Sequence, residues 1–163
     1  MVEDLVLFLA YCWLALVGVT LTIIDSAVHR LPDRLTALLA GGTLVSLGTQ
    51  SIISNDAQRL VGSVAAGAGA AAFYLLMALL TGGGIGLGDA KLAFGLGLSI
   101  GWMGWPAVAA ALFLALLLTG FAAVALTALG RAGRKDAIPH GPFMVIAAIM
   151  VVVALHGGLL DAV

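Results

Sequence analysis

Long apolar runs separated by short polar or glycine-rich breaks make up almost the whole chain. Residues 5–24 carry no charge at all. A spanning helix needs about 20 apolar residues, each rising about 1.5 Å, so this first run predicts one span. The run beginning at Leu35 is diluted by Thr, Ser and Gln but is long enough for a second. A third begins at Leu60 and runs into Gly82-Gly83-Gly84. The stretch from Leu92 to Gly130 is too long for one helix, and Gly101-Trp102-Met103-Gly104-Trp105-Pro106 interrupts it. It reads as two spans, the first short and glycine-rich, with Trp102 and Trp105 at the membrane interface. A last run starts at Gly141. The pattern therefore predicts an all-α membrane protein of six transmembrane helices, near 5–24, 35–54, 60–81, 89–102, 106–129 and 141–160, forming one domain over 1–163. The first span starts with Glu3 and Asp4 rather than basic residues, so it reads as a permanent helix, not a cleaved signal.

Composition gives the same solvent. Of 163 residues, 63% are hydrophobic and 9% charged, against about 25% charged in soluble domains. Net charge is −1, which offers no general attraction to nucleic acid. The single cysteine, Cys12, permits no intrachain disulfide, and no His/Asp/Glu cluster has metal-ligand spacing, so no metal is expected. The basic residues are unevenly spread over the breaks. Arg30, Arg34, Lys91, Arg131, Arg134 and Lys135 fall on one side and Arg59 on the other. By the positive-inside rule that side is cytoplasmic and both termini face outward. Ser63, Gly67 and Ala71, with Gly62, Ala66 and Ala70, form small-residue stripes suited to close helix packing.

Most acids mark ends and turns: Glu3, Asp4, Asp56 and Asp161 outside, Asp136 in a basic inner loop, and Asp33 at the start of the second helix, where it suits free backbone N–H groups. Asp25 and Asp89 differ. Each abuts an apolar run at the same end of the expected bundle, where an ionisable group is costly and usually functional or paired. Lys91 or Arg30 could serve as that partner. Gly82 to Gly88 is a poor helix former, and irregular backbone at membrane depth is tolerated only where buried or lining a wet cavity. An aspartate at an open, wet helix end facing a second one suits acid–base peptide hydrolysis. The ionised member takes a proton from water and the protonated one polarises the scissile carbonyl. A small transporter or channel with Asp25 and Asp89 as ion sites is the rival from another class; the lack of a second broken segment speaks against it.

Three stretches resemble the type IV prepilin peptidases, membrane aspartic proteases of the GxGD class. They are Asp25 followed at seven residues by Pro32 in Leu31-Pro32-Asp33, the segment Gly86-Leu87-Gly88-Asp89-Ala90-Lys91, and Ile138-Pro139-His140-Gly141-Pro142-Phe143 at the entry to the last helix. The resemblance implies that Asp25 and Asp89 are catalytic, with Gly86, Gly88, Lys91, Pro139, Gly141 and Pro142 shaping the site or binding substrate. It implies cleavage of the short basic leader of a pilin, pseudopilin or preflagellin at the cytoplasmic face of the inner membrane, with no cofactor. Presenilin-like proteases share GxGD, but their first aspartate sits in a Tyr-Asp context unlike Ile24-Asp25. Many bacterial members add an N-terminal cytoplasmic domain with two CxxC pairs, associated with N-methylation; this chain reads as a short peptidase-only form with methyltransferase activity unlikely. Lys91 reads as an anchor reaching to headgroups, with a role beside Asp89 or on a substrate carbonyl as the alternative. His140 reads as tolerated variation near the interface.

Overall fold

The computed structural model describes residues 2–28, 31–81, 86–130 and 139–156. The expectations resting on Arg30, Gly82 to Gly84, Arg131, Arg134, Lys135, Asp136 and Asp161 lie outside the described residues. Among the described residues the chain is all-helical. The helices are α1 (Val2–Val28), α2 (Asp33–Ser54), α3 (Ala57–Thr81), α4 (Leu87–Gly101), α5 (Trp105–Ala128) and α6 (Gly141–His156). Four of them, α1, α2, α3 and α5, are long and apolar enough to cross a membrane. The other two are shorter, at 15 residues for α4 and 16 for α6, or roughly 23 Å each against a hydrocarbon core of about 30 Å.

Local chemistry sets the helix ends. Asn55 closes α2 in the left-handed conformation at φ 53°, a geometry Asn tolerates better than most residues. Asp56 then caps α3 by accepting the N–H of Arg59 at 2.9 Å. Gly104, at φ 107°, turns the chain between α4 and α5, and Pro106 follows in the first turn of α5, where its missing N–H costs nothing.

Cross-helix contacts orient the bundle. Asp33 at the start of α2 meets Lys91 at the start of α4, and Tyr74 late in α3 meets His140 just before α6. At the opposite end, Arg59 early in α3 meets Trp102 after α4, and Tyr11 in α1 meets His156 at the end of α6. Successive helices therefore run up and down. The most extensive pairing is α3 with α4, and small residues make it possible. A Cβ on Gly97 would lie 2.9 Å from Ala70 and 3.0 Å from Gly67, and one on Gly101 2.9 Å from both Ser63 and Ala66. The packing face is thus Ser63, Ala66, Gly67 and Ala70, which takes two of the three residues of each expected stripe; Gly62 has open space around it. A buried Thr43–Ser99 hydroxyl bond of 3.1 Å ties α2 to α4.

Leu14, Leu21, Leu39, Leu92 and Tyr74 form the interior. Outward, Phe8, Leu16, Ile52, Leu79, Phe113, Phe121 and Val124 are exposed. An apolar surface on that scale is a liability in water and is satisfied by lipid.

Gly67→Ala is expected to lower thermal stability in detergent, because its Cβ would sit 2.9 Å from the Phe94 carbonyl and 3.0 Å from the Leu98 backbone nitrogen. Overpacking of this kind costs about 1–3 kcal/mol. Gly62→Ala, on the same helix but facing open space, is expected to be neutral or stabilising. Equal melting temperatures for the two variants would contradict the packing.

Candidate functional site

Asp25 stands near the end of α1, 5% exposed. Its carboxylate Oδ2 accepts the backbone N–H of Gly141 at 3.1 Å. Gly141 is the first residue of α6, and His140, the residue before it, has an imidazole engaged elsewhere. Asp25 therefore acts as a cap supplied from another helix, its negative charge facing the positive end of α6. Glycine is required there for space: a Cβ on Gly141 would lie 2.7 Å from Asp25 Oδ2. Pro142 follows in the first turn, buried, and needs no hydrogen-bond partner; Pro139, half-buried, precedes His140.

Asp89 lies in the first turn of α4, 9% exposed. Its Oδ2 accepts the N–H of Gly86 at 2.9 Å, so the carboxylate folds back on the turn that starts its own helix. Gly86 is extended at φ −85°, and a Cβ there would meet only ordinary contacts, whereas one on Gly88 would approach Leu31 to 3.2 Å. Gly88 thus lets the segment after α1 lie against the start of α4. The fourth helix begins at Leu87, two residues before its expected start at Asp89, and so takes Gly88 into its first turn.

At the same end of the bundle, a hydrogen-bonded chain joins α3, α5 and the residue before α6. Tyr74 Oη lies 2.8 Å from His140 Nε2, and His140 Nδ1 lies 2.7 Å from Thr119 Oγ1. Thr119 spends its only hydroxyl proton on the Ala115 carbonyl at 2.8 Å. It must therefore accept from His140 Nδ1–H, which leaves Nε2 to accept from Tyr74 O–H. The imidazole is neutral in this arrangement and the chain has one direction. Tyr74 lies within electrostatic reach of Asp89, and His140 within reach of Asp25. His140 is therefore not interfacial variation. It is 9% exposed, links α3, α5 and α6, and adjoins Gly141, whose N–H binds Asp25. Its partners are 66 and 21 residues away in the chain, so only the rarity of Tyr and Thr inside apolar runs could have pointed to it.

Two other side chains differ from expectation. Lys91 pairs with neither catalytic candidate; its Nζ meets Asp33 Oδ1 at 2.6 Å, with both side chains largely exposed. Asp33 is correspondingly no cap: α2 starts after Pro32 without a side-chain cap bond. The pair marks the mouth of a groove of about 810 Å³ between α2, α3 and α4, walled by small residues including Ala37, Ala40, Ala68 and Ala71.

The start of α6 lies below the ends of two long helices: Tyr74 precedes the end of α3 by seven residues (74 to 81), about 10 Å of helix, and Thr119 precedes the end of α5 by nine (119 to 128), about 13 Å. It is near the end of α1, where Asp25 stands three residues before Val28, while α4 begins level with α2, whose first residue Asp33 meets Lys91.

An apolar helical bundle with four helices of spanning length and two buried carboxylates at one end defines a multi-pass membrane protein. The profile of the Type IV leader peptidase family matches residues 8–156, and the chain belongs to that family. It is 38% identical over 141 residues to a prepilin leader peptidase/N-methyltransferase of Aeromonas hydrophila, covering 85% of this chain and 47% of that protein. It is 37% identical over 141 residues to the protein of the same name from Aeromonas salmonicida strain A449, with the same coverage. The chain spans about half the length of these relatives. No solved structure matches it.

Tyr74→Phe removes one hydroxyl and leaves His140 Nε2 buried without a donor. The expected loss is about 1–3 kcal/mol, read as a lower melting temperature of the detergent-solubilised protein. An unchanged melting temperature would count against the directional chain.

Proposed function

We propose that this chain is a membrane aspartic endopeptidase that removes the short basic leader from type IV prepilin-like proteins, with Asp25 and Asp89 as its catalytic residues. The observation that carries this reading is the burial of two carboxylates, Asp25 and Asp89, at one end of an apolar bundle. Family membership supports the same chemistry over an ion pathway.

In the proposed reaction the ionised carboxylate takes a proton from a water held between the two acids, and the water oxygen attacks the scissile carbonyl carbon. The protonated carboxyl donates to the carbonyl oxygen, giving a neutral tetrahedral gem-diol. Collapse breaks the C–N bond as the protonated acid gives its proton to the amine nitrogen and the ionised acid takes one from a gem-diol hydroxyl, which becomes the product carboxyl, so the pair again holds one proton. His140 and Tyr74 act as positioning residues. Their chain holds the first turn of α6, and the Gly141 N–H holds the Asp25 carboxylate.

Six membrane passages with both termini extracytoplasmic fit this chemistry, in the cytoplasmic membrane of the cell. The aspartate end then faces the cytoplasm, where Arg34 and Lys91 lie, and Arg59 faces out. Water reaches the acids from the cytoplasm at this end of the bundle, where α1, α2, α4 and α6 end or begin together. A basic leader in the cytoplasm joined to an apolar helix in lipid brings its junction to that level. The alanine-walled groove beside α4 accommodates the apolar helix of the substrate, because small side chains permit close backbone approach.

Asp25→Ala and Asp89→Ala are each expected to abolish leader cleavage of a purified candidate prepilin in detergent or vesicles while the protein still inserts and folds. Full cleavage by either variant would sink the assignment. Gly141→Ala, whose Cβ would press on Asp25 Oδ2, is expected to lower kcat about 100-fold, as misplacement by about 1 Å does, with KM little changed. A wild-type kcat for Gly141→Ala would remove Asp25 from the reaction.

A further inference from the structure

The groove between α2, α3 and α4 has a defined length and one polar end. Its lining runs from Asp33 to Ala40 on α2, from Ala68 to Leu75 on α3 and from Leu87 to Phe94 on α4. Each wall is seven residues long (33 to 40, 68 to 75, 87 to 94), about 10 Å or two turns of helix. Helices α2 and α4 start at the aspartate end and α3 finishes there, so Ala40, Ala68 and Phe94 mark the deep end and Asp33, Leu75 and Leu87 the mouth. Asp89 lies between Leu87 and Lys91 in the first turn of α4, buried. The mouth is therefore level with one acid of the proposed pair.

Among the described residues that line the groove, Asp33 and Lys91 are the only charged ones, and both stand at the mouth. The one neutral polar residue, Thr36, donates its hydroxyl proton to the Asp33 backbone carbonyl at 3.0 Å. A segment lying in the groove is thus apolar for two turns and meets charge only where it leaves. Lys91 Nζ meets Asp33 Oδ1, and the two side chains are 51% and 74% exposed. An ion pair this open to solvent is worth little, so exchanging one partner costs little. Asp33 Oδ2 has no hydrogen-bond partner among the described residues, and a carboxylate accepts through both oxygens. The pair is neutral and the exposed Arg34 adjoins it, so the mouth exerts no long-range pull on a cation. Selection arises on contact, at the free oxygen of Asp33. A cation tethered to a helix already seated in the groove reaches that oxygen as part of the same molecule, at high effective concentration.

Resting on the proposed peptidase function, we propose that Asp33 is a specificity-determining residue, whose free carboxylate oxygen takes the basic leader side chain nearest the substrate's apolar helix, and that Lys91 competes for the same carboxylate. The full chain is assayed in vesicles of zwitterionic phosphatidylcholine, which do not themselves attract a basic leader. The substrates are a candidate prepilin and the same prepilin with the Lys and Arg of its leader changed to Gln. The leader preference is the ratio of their kcat/KM values. Asp33→Asn is expected to lower the wild-type preference about fivefold, through KM. Lys91→Gln frees Asp33 and is expected to raise the preference about twofold. Opposite signs separate recognition from structure, because a pair that only ties α2 to α4 is broken by either change and moves both variants alike. Asp33→Lys is expected to prefer a leader carrying Glu over the basic one. An unchanged preference in Asp33→Asn, equal shifts in Asp33→Asn and Lys91→Gln, or a basic preference kept by Asp33→Lys would overturn the proposal. Should the Asp33 variants fail to fold, Lys91→Gln decides alone, and a preference that does not rise overturns it. Wild type that cleaves neither substrate overturns the peptidase function and this inference with it; cleavage of both with the preference unmoved by these changes overturns this inference alone.

Discussion

The hydrogen bond from the first backbone N–H of α6 to the Asp25 carboxylate fixes the register of the functional end. A charged group in an apolar bundle needs compensating partners, and a helix start needs acceptors for its free N–H groups. At Gly141 the two needs meet 116 residues apart in the chain. The contact is possible only because residue 141 has no side chain, since a Cβ would fall within 2.7 Å of the acid. Once α6 is set by Asp25, His140 is set as well, and through it Tyr74 and Thr119. The site is thus defined by the distance at which one helix end can approach one carboxylate.

Helix length is the second determinant. A bundle of equal helices would leave acids at its end exposed to bulk water, and a deeper position in long helices would seal them from water. The start of α6 below the ends of α3 and α5 gives Asp25 an intermediate depth, and the glycines of α4 allow that short helix to pack backbone to backbone on α3 without large side chains.

The scarcity of charge made much of this legible in advance. With so few ionisable residues, Asp25 and Asp89 stood apart simply because no turn or terminus accounted for them. The helical segments were legible because apolar runs of spanning length have few other uses. Neutral polar residues were less transparent. His140 beside Pro139 and Gly141 looked like a boundary residue, and nothing local hinted at Tyr74 or Thr119, whose roles arise only from packing. Asp33 does begin α2 and Lys91 does reach outward, but neither local explanation pointed to the contact that pairs the two across 58 residues. The small-residue stripes of α3 were recognisable as packing surface, but which stripe faces α4 depended on the rotation of the helix, and the contact face combined the two.

The central claim is that Asp25 and Asp89 act together on a single water. A peptide isostere of the leader junction, with a hydroxyl-bearing tetrahedral carbon in place of the scissile carbonyl, puts an oxygen where that water attacks. The decisive measurement is its affinity for the wild-type protein, for Asp25→Asn and for Asp89→Asn, beside an analogue in which the hydroxyl is replaced by hydrogen. The account predicts that each variant loses affinity for the hydroxyl isostere by a similar factor while binding the hydrogen analogue as wild type does. Wild-type affinity of either variant for the hydroxyl isostere would contradict it.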